Sequence, residues 1–285
     1  MLENELLTVF GKSAKVLNKI VGGMMNESYL VLYRGKKYVL YIATAQANEM
    51  VNRKLEKENQ AIVASLGLTS KNYYFNTETG TKANEYIEGT SLNKCDSFDS
   101  KKIAILLKTL HTCGKKCKED YRPFERFINY ENEALSFQRL SDKDYQKLRA
   151  ALFEHKDFLE KQTKTICHND AQKSNIVKDL NDNYFLIDFE FMGNNDPIYD
   201  IATFGNGSVA EGFKVLSDYY DGKPTKEQKM RYYLWRIFVS LQWHDVAIVK
   251  HHRGEGKTHG YNFLVVANFF LANARDAYQG LMRLK

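Results

Sequence analysis

The chain has 285 residues, of which 44% are hydrophobic and 27% are charged. This composition predicts a globular protein with a sizeable core and excludes a disordered or low-complexity chain. The formal net charge is +6, but the basic residues are scattered, and the densest run, at 115–118, is followed at once by Glu119 and Asp120. A nucleic-acid binder concentrates basic residues on one face, so we expect no nucleic-acid partner.

The cysteines and the apolar stretches bear on the compartment. Four cysteines stand at positions 95, 113, 117 and 167 without metal-site spacing, in a chain too long to need disulfides, which predicts reduced thiols. The first ten residues, MLENELLTVF, carry acidic residues where a signal peptide carries basic ones, and the apolar stretch 263–274 is too short to span a bilayer. We expect a cytoplasmic protein without membrane insertion. The sequence does not indicate which oligomeric state the protein adopts.

The first third of the chain predicts a small antiparallel sheet with one helix. Apolar residues at near-helical spacing over 48–66 end at Gly67, the residue favoured just after a helix C-terminus. Short apolar or β-branched runs bounded by turn residues predict strands. These strands cover residues 16–21, 28–33, 37–42, 73–75 and 83–87.

Beyond Glu88-Gly89-Thr90 the pattern becomes mostly helical. Amphipathic segments occupy 128–162 and 225–280, and helical spacing also relates Ile103, Leu106, Leu107 and Leu110. We therefore predict the α+β class, with an antiparallel β-rich domain over 1–88 and a larger, mostly helical domain over 89–285.

One predicted hairpin lies inside the helical part. Apolar runs at 175–178 and 184–187 flank the turn-rich segment 179–183. Pairing position 178 with position 185 brings Asn175 opposite Asp188, so that an amide oxygen and a carboxylate meet at one point. These are ligands that Mg²⁺ accepts while phosphates and water complete its coordination.

Asp170 stands five residues before Asn175, in His168-Asn169-Asp170. A carboxylate that accepts a hydroxyl proton, next to two ligands that hold Mg²⁺ on nucleotide phosphates, is the equipment of phosphoryl transfer. Each part alone is weak evidence, and the alternative is that Asp170 and Asn175 belong to a capped surface turn. The strand that ends at Asp188, followed by Asp196-Pro197 and Asp200, favours the catalytic interpretation.

The segments HNDAQKSNIV and FLIDFEFMGNNDPIYDIA resemble the catalytic and metal-binding loops of the choline/ethanolamine kinases and aminoglycoside phosphotransferases. The resemblance is closest to bacterial LicA-type choline kinases and extends over about 16–205, including VGGMMNESYLV and NEYIEG. It implies a two-lobed protein-kinase-like fold and the use of ATP with Mg²⁺. It also implies roles for five residues: Asp170 as the catalytic base, Asn175 and Asp188 as Mg²⁺ ligands, and His168 and Asp200 as braces of the catalytic loop.

The same resemblance assigns a nucleotide site to the β-rich lobe. Gly22-Gly23 lets backbone amides approach phosphate, although such a pair is by itself commonly a simple hairpin turn. The other residues implied are Asn26 and Ser28 at the glycine turn, Glu85 to Ile87 at the adenine hinge, and Glu56 as the helix carboxylate that pairs with a basic strand residue.

Two positions depart from the family pattern. Tyr41 stands where the family carries a Lys or Arg aimed at the phosphates, which leaves Glu56 without its usual partner; Arg53 or Lys37 could supply the charge instead. Gly207 stands where choline kinases carry a Glu that faces the substrate cation.

The sequence favours a small hydroxylated acceptor, choline first. Only eight positions separate Asp188 from Asp196, too few for the long activation segment of a protein kinase. A quaternary ammonium cannot donate hydrogen bonds, so it requires aromatic walls, to which one carboxylate can be added. The candidates are Phe191, Tyr199 and Trp243, with Glu190 as the carboxylate.

Several alternatives remain open at this stage. Trp243 and Glu190 could equally be structural, while Trp235 is predicted to belong to the core and His111 to be a packed histidine. The acceptor could be ethanolamine, an aminoglycoside, thiamine or a sugar. A binding pseudokinase is the alternative outside the enzymes.

Overall fold

The structure is a computed structural model that describes residues 2–20, 26–138, 140, 142–256 and 260–284. It divides into two compact units. Unit 1 contains the described residues up to Phe98 together with Lys173–Met192, and unit 2 contains Asp99–Gln172 and the described residues from Gly193 onward. Unit 1 thus includes 89–98 and 173–192 in addition to the segment before residue 89.

Unit 1 is built on a five-stranded antiparallel sheet in the order β1-β2-β3-β5-β4. Its strands are β1 (Lys15–Ile20), β2 (Asn26–Tyr33), β3 (Lys36–Ala43), β4 (Asn72–Phe75) and β5 (Lys82–Glu85). Alternate residues of β2 and β3 are buried, and Val31 and Leu40 among them are fully buried. They pack with Val9 and Phe10 of the helix α1 (Leu2–Phe10) in one core.

The predicted helix over 48–66 is two helices, α2 (Ala45–Met50) and α3 (Arg53–Ser65). The helix breaks because Val51 has extended backbone angles and the side chain of Asn52 caps α3 by accepting a hydrogen bond from the Leu55 amide at 3.2 Å. The prediction of one helix in this region was therefore wrong, whereas the antiparallel sheet was confirmed.

A second, three-stranded sheet in unit 1 has the order β6-β8-β9, where β6 is Gly89–Ser91, β8 is Ile176–Asp179 and β9 is Tyr184–Leu186. The register pairs Ile176 with Leu186 and Lys178 with Tyr184. It differs by one residue from the predicted register. Asp179 accepts the amides of Asn181 and Asn183, and this local turn fixes the pairing.

Unit 2 is mostly helical. Its helices are α4 (Ser100–His111), α5 (Pro123–Phe137), α6 (Lys143–Phe153), α7 (Lys156–Glu160), α8 (Pro197–Phe204), α9 (Val209–Tyr219), α10 (Lys226–His252) and α11 (Phe263–Met282). Two short strands, β7 (Thr165–Cys167) and β10 (Gly193–Asn195), pair antiparallel. Trp235 of α10 is 1% exposed, as predicted for a core residue, and packs against Phe124 and Phe238.

No helix among the described residues is long and apolar enough to cross a membrane.

Candidate active site

The segment 168–170 follows β7 in unit 2 and is held by the carboxylate of Asp200, on the first turn of α8. The two carboxylate oxygens accept the backbone amides of His168 at 2.8 Å and of Asn169 at 2.7 Å. Asp200 is 0% exposed, so these charge-assisted hydrogen bonds are shielded from water. Asp200 therefore fixes the backbone of the predicted catalytic loop.

His111, at the end of α4, adds a third hydrogen bond to Asp200. Its Nε2 lies 2.9 Å from the carboxylate, which can only accept, so Nε2 carries the hydrogen. In the neutral ring Nδ1 then accepts from the hydroxyl of Tyr219 at 3.0 Å. His111 is buried, in agreement with its predicted packing, but its bond to Asp200 was not foreseen.

The side chain of Asn169 ties the loop to strands β7 and β10. Its φ of 63° lies in the left-handed region that asparagine tolerates better than most residues. Its side-chain amide donates to the carbonyls of Cys167 and Gly193 and accepts from Asn195 at 2.9 Å. Sequence reasoning missed Asn169 and Asn195, because their partners lie on a strand 24 to 26 residues away.

Asp170 is only partly buried, unlike its two neighbours. Its backbone amide donates to Nδ1 of His168 at 3.2 Å, and Nε2 of Gln172 donates to its carboxylate at 3.2 Å. The loop thus presents a partly accessible carboxylate on a rigid backbone, as a base for a hydroxyl proton requires.

The predicted metal ligands lie in unit 1, at the start and the end of the β8-β9 hairpin. Asn175 is 8% exposed, and its carbonyl accepts the Ile187 amide at 3.0 Å. The observed register places Asn175 opposite Ile187, so the prediction that it faces Asp188 was wrong by one residue. Asp188 is the residue after Ile187, and its φ of 69° turns the chain out of the hairpin.

The electrostatic surroundings of Asp188 are acidic. Although the residue as a whole is exposed, the packing around its carboxyl and the charge of Glu190 raise its pKa to about 7, despite the opposing effect of Lys82. A divalent cation would stabilise the ionised form of such a carboxyl. One amide oxygen and one carboxylate with hard-oxygen chemistry therefore fit Mg²⁺, with Asn175 and Asp188 as the residues that could hold it.

Glu56 on α3 lacks a basic partner on β3, as expected, but it is paired with two other cations, Arg53, which the sequence offered as an alternative, and Lys82, which it did not. It forms a buried salt bridge with Nζ of Lys82 on β5, and its other oxygen accepts from Nη1 of Arg53 at 2.7 Å. Burial alone would raise the pKa of Glu56, but these cations lower it below its ordinary value. Lys37, the other candidate, instead pairs with Glu88 at the surface.

Arg53 extends this ion-pair cluster to the segment after the hairpin. The same Nη1 donates to Glu190 at 3.1 Å, and Nδ2 of Asn26 donates to that carboxylate oxygen at 2.6 Å. The carboxylate of Glu190 is 1% exposed and is therefore committed to a cation of the protein itself. Its assignment to the acceptor cation stays a prediction, and its contacts favour the structural alternative.

Tyr41 lies in a row of paired residues that crosses the sheet. Ser28 on β2 pairs with Tyr41 on β3, and Tyr41 pairs with Lys82 on β5. Nζ of Lys82 lies 5.0 Å from the centre of the Tyr41 ring. Burial raises the pKa of Tyr41 to about 12, so the hydroxyl stays protonated and neutral.

The predicted hinge continues from β5. Glu85 and Ile87 border a cavity of about 340 Å³ that Leu180 and Phe185 also line, and the Tyr86 amide donates to the Lys37 carbonyl at 3.0 Å. Gly22 and Gly23, the predicted phosphate turn, lie outside the described residues.

The predicted aromatic walls are in different surroundings. Tyr199 is 1% exposed and packs against Tyr121 and Trp235, whereas Phe191 is partly buried. Trp243 stacks on Phe270 with 5.8 Å between ring centres. Gly207 is exposed, and a Cβ added there would meet no described atom within 4 Å.

Comparison with known proteins places these motifs in a family. The model of the choline/ethanolamine kinases matches residues 17–239. Protein LicA of Haemophilus influenzae is 28% identical over 193 residues, which span 64% of this chain and 56% of that protein. This chain thus matches only about half the length of that relative.

Solved structures agree with the family match. The choline kinase LicA from Streptococcus pneumoniae superposes with a TM-score of 0.74 at 26% identity, over 99% of this chain and 98% of that one. A spectinomycin phosphotransferase shares the fold at 13% identity, with a TM-score of 0.61 over 98% of both chains. The kinase-like fold expected from the sequence is confirmed, and the chain belongs to the choline/ethanolamine kinase family.

Proposed function

We propose that this protein is a phosphotransferase, which transfers the γ-phosphoryl group of ATP to the hydroxyl of a small amino alcohol, choline first. The family match over residues 17–239 carries the proposal, since it includes both predicted catalytic segments. The similarity to LicA proteins favours choline among the acceptors, and a LicA structure was determined in complex with AMP. Ethanolamine is the acceptor named in the same family description.

In the proposed mechanism, Asp170 orients the acceptor hydroxyl and takes its proton as the oxygen attacks phosphorus. Asp200 and His111 keep the loop that carries Asp170 from relaxing, since they bind its backbone. Asn175 and Asp188 would hold Mg²⁺, which would neutralise charge on the nucleotide phosphates. Rigid positioning and charge complementarity supply most of the catalysis in phosphoryl transfer.

The direct test is a panel of hydroxyl compounds with detection of ADP release by the purified protein. The panel contains choline, ethanolamine, an aminoglycoside, thiamine and a hexose. We expect Mg²⁺-dependent ADP release with choline at a higher kcat/KM than with any other compound. Faster turnover of another compound would replace choline as the acceptor, and the absence of turnover with every compound would overturn the proposal.

The substitution Asp170→Asn tests the proposed base. It removes the proton acceptor but keeps the side-chain shape, so we expect kcat to fall by roughly 10²- to 10⁴-fold with unchanged nucleotide affinity. Asp157→Asn on the exposed surface of α7 is the matched control and should leave kcat unchanged. Wild-type turnover in Asp170→Asn would remove Asp170 from this role.

A further inference from the structure

Tyr41 stands where the family carries a basic residue, yet the buried ammonium group of Lys82 lies next to the Tyr41 ring. We propose that Lys82 on β5 supplies the phosphate-facing positive charge of the nucleotide site, in place of a basic residue on β3. The proposal rests on the proposed function, because it assigns to Lys82 the contact with the phosphates of the bound nucleotide.

The strand register supports this exchange of positions. Tyr41 and Lys82 are directly paired residues of adjacent antiparallel strands. The side chains of such a pair project from the same face of the sheet with their Cβ atoms about 5 Å apart. A charge lost at position 41 can thus be replaced at position 82 with a displacement of only one strand.

The ion pair of Lys82 has the partner that a phosphate-binding lysine needs. Protein kinases hold their β3 lysine through a salt bridge to a helix glutamate. Here the carboxylate of Glu56 on α3 binds Nζ of Lys82, and both side chains are at most 3% exposed. Glu56 therefore fixes the ammonium group in one position.

The carboxylates around Lys82 keep its side chain positively charged. Burial alone would lower its pKa, but Glu56, Asp188 and Glu190 outweigh burial and raise the pKa above its ordinary value. Lys82 therefore stays charged. A charged ammonium group is the kind of donor that binds phosphate oxygens through charge-assisted hydrogen bonds.

Arg53 is the competing cation, and its contacts distinguish it from Lys82. Its Nη1 serves both Glu56 and Glu190, and its Nε donates to Asn48 at 3.0 Å. The guanidinium is thus fixed by three side chains through Nε and Nη1, although its buried Nη2 has no hydrogen-bond partner among the described residues. The described contacts of Lys82 comprise one carboxylate and the faces of two aromatic rings. An ammonium group has three N–H donors, so Lys82 retains donors for a phosphate after Glu56 has been bound.

The experiment compares the affinities of ATP and adenosine by calorimetry, since only ATP carries the phosphates. In Lys82→Met we expect the Kd for ATP to rise at least about tenfold, while the Kd for adenosine stays unchanged, because a charge-assisted contact to phosphate is lost. Lys36→Met, an exposed lysine of the same sheet, is the matched control and should change neither value.

The double variant Tyr41→Lys/Lys82→Met returns a cation to β3 beside Glu56. We expect its ATP affinity to recover to within about threefold of wild type, an outcome that a purely structural role of Lys82 does not produce. It also serves as the test if Lys82→Met does not fold. Wild-type ATP affinity in Lys82→Met, or a folded double variant that binds adenosine but has lost ATP affinity, would overturn the proposal. These binding measurements need no acceptor, so they remain decisive even if the acceptor panel shows no turnover.

Discussion

Replacement of Asp200 by asparagine should destabilise unit 2 and stop catalysis together. The wild-type carboxylate accepts three donors in a fully buried position, namely the amides of His168 and Asn169 and Nε2 of His111. Asparagine retains the shape of the side chain but offers one oxygen and one NH₂ group. Whichever way this amide points, its NH₂ faces the backbone amide of either His168 or Asn169, which cannot accept.

The magnitude follows from this count. One buried N–H left without an acceptor costs about 1–3 kcal/mol, and each remaining bond loses about 1 kcal/mol when its acceptor changes from charged to neutral. His111 can adapt by moving its hydrogen to the other ring nitrogen, which limits the loss on that side. The expected destabilisation is about 3 kcal/mol. A chain of this size loses roughly 2–4 °C of Tm per kcal/mol, so we expect Tm to fall by about 6–12 °C.

Thermal unfolding followed by circular dichroism measures this change. Asp170→Asn is the matched control, because it makes the same replacement two residues after His168, at a partly exposed carboxylate, and should shift Tm by less than about 2 °C. Both variants should lose activity, but only Asp200→Asn should lose stability. A Tm of Asp200→Asn within about 2 °C of wild type would show that the three hydrogen bonds do not hold the loop.

Two other predictions concern the acceptor and the thiols. Gly207→Glu should lower KM for choline by about three- to tenfold in steady-state assays, because the added carboxylate supplies the partner for a cation that choline kinases carry there, at a position with open space. An unchanged KM would show that the acceptor site of this chain differs from that of choline kinases. Alkylation of the native protein at about pH 8 should modify the partly exposed Cys95 and Cys113 but spare Cys117 and Cys167, whose pKa values burial raises; modification of the latter pair in a peptide map would contradict their packing.

Local sequence patterns were sufficient for most elements of unit 1. The strands β2 and β3 carry alternating buried residues and a tight turn at Gly35, so both their existence and their pairing follow from the sequence. The helix α1 was missed because its nine residues are few for a periodicity argument, and Val9 and Phe10 reveal their role only through packing on the sheet. The register of the β8-β9 hairpin was missed because one aspartate, Asp179, sets the turn through its side chain.

The candidate site divides in the same way. Asp170, Asn175 and Asp188 could be proposed as site residues because their spacing in the sequence carries the motif. The side chains that bind Asp200 and Glu56 could not be identified in this way, since His111 is 89 residues from Asp200 and Lys82 is 26 residues from Glu56. Contacts of this kind depend on which strands and helices become neighbours, and no local pattern specifies that.

Tyr41 illustrates why a single substituted position is weak evidence for a lost function. Strand β3 taken alone lacks the basic residue of the family, which suggests a nucleotide site that has lost its function. Inspected across the sheet, the same row contains Lys82, paired with the carboxylate that position 41 would otherwise have served. Phosphate binding needs a positive charge at a given location in the site. Paired residues on adjacent strands project from the same face of the sheet, so either of them can supply that charge. If Lys82 has the role proposed for it, Tyr41 by itself does not favour a pseudokinase, because the same row contains a cation.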